Sequence, residues 1–231
     1  FGNILATATF AQPTSTLEIV SSLSVEQKAV PWPVFALDVE AQNYPFPYSD
    51  ELAANLGIFR DPRVGKASNE IEVWARSFVL GAVTDTLSLL KDINAGLLAH
   101  VAYRSRDEEG TQTPNETLHL RSGSCRDIAA LFIEAVRCLG FGARAVSGYV
   151  FDGSALDGAV QSTHAWAEVF LPGAGWIAFD PTHRRVGSAY LVPVAIGRAN
   201  DQIIPVIGQF VGSSDVTAAL EVEVSMIPKT I

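Results

Sequence analysis

Three side chains in this sequence have the chemistry for nucleophilic attack on an amide. Cys125 supplies a thiol, His164 an imidazole and Asp180 a carboxylate, in that order along the chain. A thiolate can attack a carbonyl carbon while the imidazole takes and returns a proton. The carboxylate fixes the imidazole's tautomer and stabilises its charged form. Each residue alone is commonly structural, so the hypothesis depends on the elements that position them.

Cys125 is predicted to lie in the first turn of a long helix. Ser124 suits the N-cap, Asp127 gives a pattern close to a capping box, and Gly123 permits the preceding turn. The helix is expected to end at Gly140 and to bury one face. The apolar residues at helical spacing are Ile128, Leu131, Phe132, Ala135, Val136 and Leu139. At this end of a helix, free N–H groups and the helix dipole favour a thiolate.

His164 and Asp180 fall in two segments that are predicted to form a β-hairpin. Residues 164–170 alternate between two sets of side chains, and a Pro-Gly turn leads into residues 176–180. With pairing centred near Pro172, His164 and Asp180 lie opposite or diagonal to each other on one face. The spacing therefore predicts a carboxylate that holds the imidazole.

Four stretches of the chain resemble the transglutaminase-like superfamily. They are residues 113–132, 140–149, 163–169 and 175–182. The separations of 39 residues from Cys125 to His164 and of 16 residues from His164 to Asp180 also suit that family. Outside this core, residues 1–3 and 17–20 resemble the end of the β-rich N-terminal region of bacterial members. Residues 195–208 resemble their C-terminal segment.

The resemblance implies an α+β fold with a transglutaminase-like (papain-like) core. In that core the catalytic helix packs on an antiparallel β-sheet, and here a partial N-terminal β segment precedes it. We expect residues 1–48 to form this partial β region and a connector, and residues 49–231 to form the catalytic domain.

The expected function is hydrolysis of an amide or peptide bond through a Cys125-His164-Asp180 triad and a thioester intermediate. Animal transglutaminases use a tryptophan upstream of the nucleophile, but no tryptophan lies between Trp74 and Cys125. No calcium site is evident either, and bacterial members resemble cysteine peptidases. Acyl transfer from a protein glutamine to an amine remains the alternative, as does a non-catalytic binding module on the same fold.

A zinc site is a further alternative, because His183 could join Cys125, His164 and Asp180 in a mixed ligand set. None of these residues has the close paired spacing usual in zinc sites. We therefore predict no metal and no cofactor.

Four other residues are candidates for shaping the site. Trp166 shares a strand face with His164 and could wall a substrate channel, together with Tyr149. Gln112 or Tyr103 could add an oxyanion donor beside the N–H of Cys125, because acyl transfer gains from two donors. The sequence does not decide whether Trp166 and Tyr149 line a channel, or which of Gln112 and Tyr103 is the oxyanion donor.

Composition limits the class of partner. The chain has 231 residues, of which 48% are hydrophobic, and its 16 basic against 25 acidic residues give a net charge of −9. Without a basic cluster or a long apolar run, nucleic acid and membrane partners are not expected, which leaves a peptide or protein amide as substrate. The oligomeric state stays open.

Two cysteines and the start of the chain bear on localisation. Cys125 and Cys138 on one helix would lie roughly 20 Å apart, too far for a disulfide, so free thiols and a cytoplasmic location are expected. Residues 1–20 lack the pattern of a signal peptide. The chain opens at Phe1 rather than at methionine, which suggests a fragment and leaves an upstream signal possible.

The remaining elements are predicted from period and capping. Helices are expected to begin after Ser49, at Asn69 and at Thr113, and a further helix carries Leu87 to Val101; they are expected to pack beside the cysteine helix. Residues 152–158 superficially resemble a calcium loop but lack its ligand spacing, so we interpret them as a strand connection. The predicted strands outside the hairpin are residues 4–10, 17–26, 144–151, 190–196, 203–207 and 220–227.

Overall fold

The computed structural model of the protein describes residues 1–62, 70–106, 108–151, 162–212 and 219–227. Asn69, where a helix was predicted to begin, and the predicted connection at residues 152–158 lie outside the described residues. Among the residues that the structure describes, no helix is both long and apolar enough to cross a membrane.

The described residues form five α-helices and nine β-strands. The helices are α1 (Asp50–Leu56), α2 (Glu70–Arg76), α3 (Thr86–His100), α4 (Pro114–Leu120) and α5 (Cys125–Cys138). The strands are β1 (Asn43–Tyr44), β2 (Thr84–Asp85), β3 (Ala102–Tyr103), β4 (Ser122–Gly123), β5 (Gly142–Val150), β6 (Thr163–Leu171), β7 (Gly175–Asp180), β8 (Arg185–Val186) and β9 (Leu191–Gly197). Short 3₁₀ turns occupy Val39–Ala41, Gly57–Phe59 and Asn200–Gln202.

The main sheet has the strand order β8-β7-β6-β5-β9, and every neighbouring pair is antiparallel. Two small pairs lie outside it, an antiparallel β1–β2 pair and a parallel β3–β4 pair. The predicted hairpin is present as β6 and β7, with Leu171 opposite Gly175 and Ala167 opposite Phe179. Its centre lies at Gly173, one residue from the predicted centre.

Helix α5 packs on one face of this sheet. Strands β5 to β7 present small or apolar side chains to the helix, and the rings of Phe132 and Phe179 stack at 5.5 Å. Period-2 alternation puts Ala145, Ala167 and Val169 into this core, while Val146 and Trp166 pack in a separate cluster. The α+β fold expected from the sequence is confirmed.

The sequence predicted one buried face on α5, but the structure buries almost the whole helix. Helices α2, α3 and α4 pack against α5, as expected, whereas the principal contact of α1, which was expected there too, is with the 3₁₀ turn Gly57–Phe59. Even Glu134 and Arg137 are buried as a result. Arg137 donates to the backbone carbonyl oxygens of Phe59, Ala143 and Arg198, so its charged group is well solvated by protein.

Strands predicted at residues 4–10 and 17–26 are wrong. Neither segment has a regular strand partner, and their large apolar side chains stay exposed to solvent. Side chains hold this part of the chain to β9 instead: Asn3 exchanges two hydrogen bonds with the backbone of Ile196, and Gln27 donates to the backbone of Leu191. Alternation specifies a strand only where one face becomes buried, and here no face does.

Two predicted strands in the C-terminal part are also wrong. Residues 203–207 form no strand, although Ile203 itself packs into the core. In residues 220–227 only a single bridge residue, Val224, has strand pairing. By contrast β5 and β9 form within two residues of their predicted limits.

Candidate active site

Cys125 is the first residue of α5, as predicted, and it is half-buried. The chain reaches it through β4, which pairs in parallel with β3. Gly123 is required for space, because a Cβ at that position would lie 2.8 Å from the Cβ of Asp127. Close approach to the helix, rather than the sharp turn expected from the sequence, is the physical reason for this glycine.

A fully buried carboxylate, Asp127, holds this end of the helix together. It accepts hydrogen bonds from the backbone N–H and the hydroxyl of Ser124, each at 2.8 Å. Arg106 donates to both of its oxygens, at 2.9 and 2.8 Å, and the N–H of Gln112 donates at 2.8 Å. One side chain therefore fixes both the turn that carries Cys125 and the loop before it.

His164 and Asp180 meet across the hairpin at its open end. The β6–β7 register, carried one residue further, puts Asp180 opposite Trp166 and thus diagonal to His164. The Nε2 atom of His164 lies 2.9 Å from Oδ2 of Asp180, and both side chains are almost completely buried. This arrangement matches the predicted contact between a carboxylate and an imidazole.

Asp180 accepts more hydrogen bonds than a simple triad requires. Its Oδ2 is also 2.7 Å from Nδ1 of His183, while its Oδ1 accepts the backbone N–H groups of Thr182 and His183. Burial acts to raise the pKa of Asp180, but the hydrogen bonds from His164 and His183 outweigh it and hold that pKa well below its usual range. Asp180 is therefore a carboxylate at neutral pH.

The thiol of Cys125 lies beside the imidazole of His164 and interacts with it. Burial acts to raise the pKa of Cys125, but the hydrogen bond and charge of His164 lower it below its usual value, assisted by the backbone N–H groups of Ala165 and Arg126. Burial likewise acts to lower the pKa of His164, yet its bonds to Asp180 and Cys125 raise it to about 9. The same contact thus favours a thiolate beside an imidazolium.

The hydrogen bonds also define the orientation of the imidazole. Because Asp180 is ionised, its oxygen can only accept a hydrogen bond from Nε2 of His164. The proton of a neutral His164 therefore resides on Nε2. The Nδ1 atom is then the ring nitrogen left to face Cys125. A histidine in this orientation can take a proton from the thiol and deliver it to a leaving group.

Trp166 lies beneath His164 rather than on an open channel. It is only 1% exposed, and its indole stacks on the imidazole with ring centroids 6.0 Å apart and an interplanar angle of 22°. The ring therefore has almost no exposed surface, and its suggested role as a channel wall stays a prediction that this burial does not favour. It packs with Val146, Ala178 and Leu191 and supports the imidazole from the sheet side.

The other three candidates lie in different surroundings. Tyr103, on β3, is 54% exposed, and its pKa is raised by burial and by the negative charge of Cys125, so it lies near the thiol. Gln112 is half-buried and accepts a hydrogen bond from Thr117 through Oε1. Tyr149 is half-buried on β5, opposite Thr163 of β6.

Sequence reasoning missed the second histidine contact and the arginine that anchors the loop. The sequence suggests His183 only as a zinc ligand, although a histidine three residues after Asp180 is also well placed for a local hydrogen bond. The ligand atoms of His164, Asp180 and His183 lie within 4.8 Å of one another. Cys125 is absent from that group, so the zinc set suggested by the sequence is not assembled as a whole. Arg106 lies 21 residues before Asp127, and no local pattern indicated their pairing.

Comparison with known proteins gives one family match and several relatives. Residues 73–181 match the transglutaminase-like superfamily. An uncharacterized protein of Mycobacterium tuberculosis is 26% identical over 241 residues, covering 99% of this chain and 75% of that protein. An uncharacterized protein of Mycobacterium leprae is 27% identical over 118 residues. The match covers 48% of this chain and 40% of the Mycobacterium leprae protein.

Two solved structures are similar as well. A candidate cysteine protease from Cytophaga hutchinsonii is 28% identical and superposes with a TM-score of 0.54, covering 71% of this chain and 53% of that one. The chain thus spans about half the length of that protein. The periplasmic domain of TgpA from Pseudomonas aeruginosa is 22% identical and superposes with a TM-score of 0.42. The match covers 55% of this chain and 46% of the TgpA chain.

Proposed function

We propose that this chain is a cysteine hydrolase of amide or peptide bonds, because residues 73–181 belong to the transglutaminase-like superfamily. Cys125 is the nucleophile, His164 the general base and acid, and Asp180 the residue that orients His164. The reaction is attack of the thiolate on the amide carbonyl, expulsion of an amine that takes its proton from His164, and hydrolysis of the thioester by water.

One observation carries the proposal: the imidazole of His164, held 2.9 Å from the carboxylate of Asp180, lies beside the thiol of Cys125. The imidazole and the carboxylate are buried, whereas the thiol is half-buried and reachable from solvent. A buried carboxylate without such donors would not stay ionised, and a thiol without such a partner would have a raised pKa. The arrangement is what an activated nucleophile requires.

The preference for hydrolysis over transfer to an amine draws on a structural neighbour. The similar structure from Cytophaga hutchinsonii carries the description of a candidate cysteine protease. The second oxyanion donor in our proposal is Tyr103, because its side chain is 54% exposed and near enough to Cys125 for the thiolate charge to raise its pKa. The first donor is the backbone N–H of Cys125 at the start of α5.

The proposal is tested without knowledge of the substrate. The rate of alkylation of Cys125 by iodoacetamide is measured against pH in a Cys138→Ser background, with and without His164→Ala. We expect rapid labelling well below the ordinary thiol pKa of about 8.5, and loss of that advantage in His164→Ala. An ordinary thiol profile in both proteins would contradict the proposal and favour a binding module.

A second step separates the two reactions of an acyl-enzyme. The protein is incubated with a peptide library, in parallel with and without a primary amine that carries a fluorophore. Hydrolysis of a peptide bond releases a new amino terminus, hydrolysis of a side-chain amide leaves a carboxylate and releases ammonia, and both leave the amine unincorporated. Incorporation of the amine into peptides, without new amino termini, would instead identify an acyltransferase. Cys125→Ala serves as the control for both reactions.

A further inference from the structure

We propose that His183 is a positioning residue of this site, which locks the carboxylate of Asp180 in the orientation that serves His164. The role rests on the proposed function, because it matters for chemistry only if Cys125 and His164 react. His183 is one-third exposed and lies at the outer end of the hydrogen-bonded group that it forms with Asp180 and His164.

The first support is that every acceptor position of the Asp180 carboxylate is occupied by a hydrogen bond. An ionised carboxylate offers four lone-pair positions on its two oxygens. Asp180 accepts four hydrogen bonds, two at Oδ2 from His164 and His183 and two at Oδ1 from the backbone of Thr182 and His183. His183 supplies half of these donors, one from its ring and one from its backbone.

The second support is geometric. The imidazole of His183 lies with its ring centroid 5.0 Å from that of His164 and at 63° to it, so it meets the catalytic ring from one side. Trp166 stacks on His164 at 22°, from the sheet side. Rotation of the carboxylate would break the ring bond of His183 as well as that of His164. The two histidines therefore hold one carboxylate oxygen between them.

The bond also defines the state of His183. Since Asp180 is ionised and offers only acceptors, Nδ1 of His183 carries a proton and donates it. An asparagine places its amide nitrogen close to the position of Nδ1 in histidine. His183→Asn can therefore keep the donor, whereas His183→Leu fills similar space without any donor. This pair separates the hydrogen bond from the bulk of the ring.

The experiment measures alkylation of Cys125 against pH in the Cys138→Ser background for the parent, His183→Leu, His183→Asn and the control His119→Leu, which changes an exposed histidine on α4. We expect His183→Leu to lower the rate at neutral pH by roughly tenfold or more, since a hydrogen bond to a charged group is lost. We also expect its midpoint to move toward that of an ordinary thiol. His183→Asn and His119→Leu should stay near the parent.

Two results would overturn this role. One is a His183→Leu profile that coincides with the parent, and the other is a His183→Asn profile as impaired as that of His183→Leu. Circular dichroism of each variant checks that the fold is kept, and His183→Asn covers the possibility that leucine disturbs the loop. An ordinary thiol profile in the parent itself would instead signal failure of the proposed function, so the two failures are distinguishable.

Discussion

Asp180 reaches His164 diagonally across the β6–β7 hairpin, with Oδ2 of the carboxylate 2.9 Å from Nε2 of the imidazole. The pairing register therefore determines the contact. A shift of one residue in that register would turn one of the two side chains to the other face of the sheet. The strand pairing of the hairpin therefore sets the distance between the carboxylate and the imidazole.

Replacement of Asp180 by asparagine is expected to abolish most of the activity. The amide nitrogen would face a ring N–H, or the imidazole would adopt the other tautomer and present N–H rather than a lone pair to the thiol. By analogy with triads in general, hydrolysis should fall by roughly 10³–10⁴-fold. The measurement is the turnover of a cleaved peptide. Activity within tenfold of the parent would show that His164 is oriented by other groups.

The pH dependence should differ between hydrolysis and alkylation. The pKa of Cys125 is lowered and that of His164 is raised to about 9, so a thiolate and an imidazolium coexist between the two values. Hydrolysis should rise through the lowered Cys125 pKa and fall as the pH passes about 9, because the leaving amine then finds no proton on His164. The apparent pKa values of this rise and fall in rate belong to the coupled pair of Cys125 and His164 rather than to either residue alone.

Alkylation by iodoacetamide supplies the matched comparison, because it needs the thiolate but no proton for an amine. Its rate should rise on the same acid limb and show no decline above pH 9. A decline of both reactions together would indicate loss of the fold at high pH. Hydrolysis that continues to rise above pH 9 would show that His164 does not act as the acid.

Asp127→Asn should destabilise the protein by about 2 kcal/mol, since the fully buried carboxylate accepts charge-assisted hydrogen bonds from Arg106, Ser124 and Gln112 that an amide cannot all keep. The pKa of Asp127 is lowered: burial acts to raise it, but Arg106, Ser124 and the N–H of Gln112 prevail. The stabilisation is therefore present above about pH 3.8 and lost as the pH falls through the lowered value. Urea denaturation measures it, with exposed Asp92→Asn on α3 as the control. Equal stability of the two variants at pH 7 would contradict this role for Asp127.

Much of the site could be predicted because its signals are local. Ser124 and Gly140 mark the two ends of α5, and Gly140 adopts a φ of +94°, a conformation that favours glycine. The hairpin could be predicted because alternation has a period of two residues and the turn is short, so few registers are possible. Those two elements already bring a thiol, an imidazole and a carboxylate toward one point.

The rest depends on contacts between distant parts of the chain. Whether Trp166 faces solvent or a cluster depends on which side of the sheet becomes covered, and alternation alone does not reveal it. The pairing of Arg106 with Asp127 spans 21 residues through a loop. The apolar residues of 17–26 have a strand-like pattern, yet a strand also needs a partner, and the pattern carries no information about one.

Chelation should leave the chemistry of Cys125 unchanged. The nitrogen atoms of His164 and His183 that face Asp180 lie 2.9 and 2.7 Å from Oδ2, distances typical of hydrogen bonds, and a metal would have to displace those protons. Protein treated with EDTA and then exchanged into metal-free buffer should label at the rate of an untreated sample. A bound equivalent of zinc whose removal changes the rate would instead support the zinc alternative at His164, Asp180 and His183.

Tyr103→Phe should slow acylation without changing the reactivity of the thiol. The phenol lies near Cys125, and in our proposal it donates to the oxyanion that forms on the substrate. Loss of one such donor can lower the rate by roughly 10²-fold, whereas alkylation by iodoacetamide develops no oxyanion and should be unaffected. Gln112→Leu tests the other candidate donor. A larger loss of hydrolysis in Gln112→Leu than in Tyr103→Phe, with labelling intact in both, would assign the oxyanion to Gln112 instead.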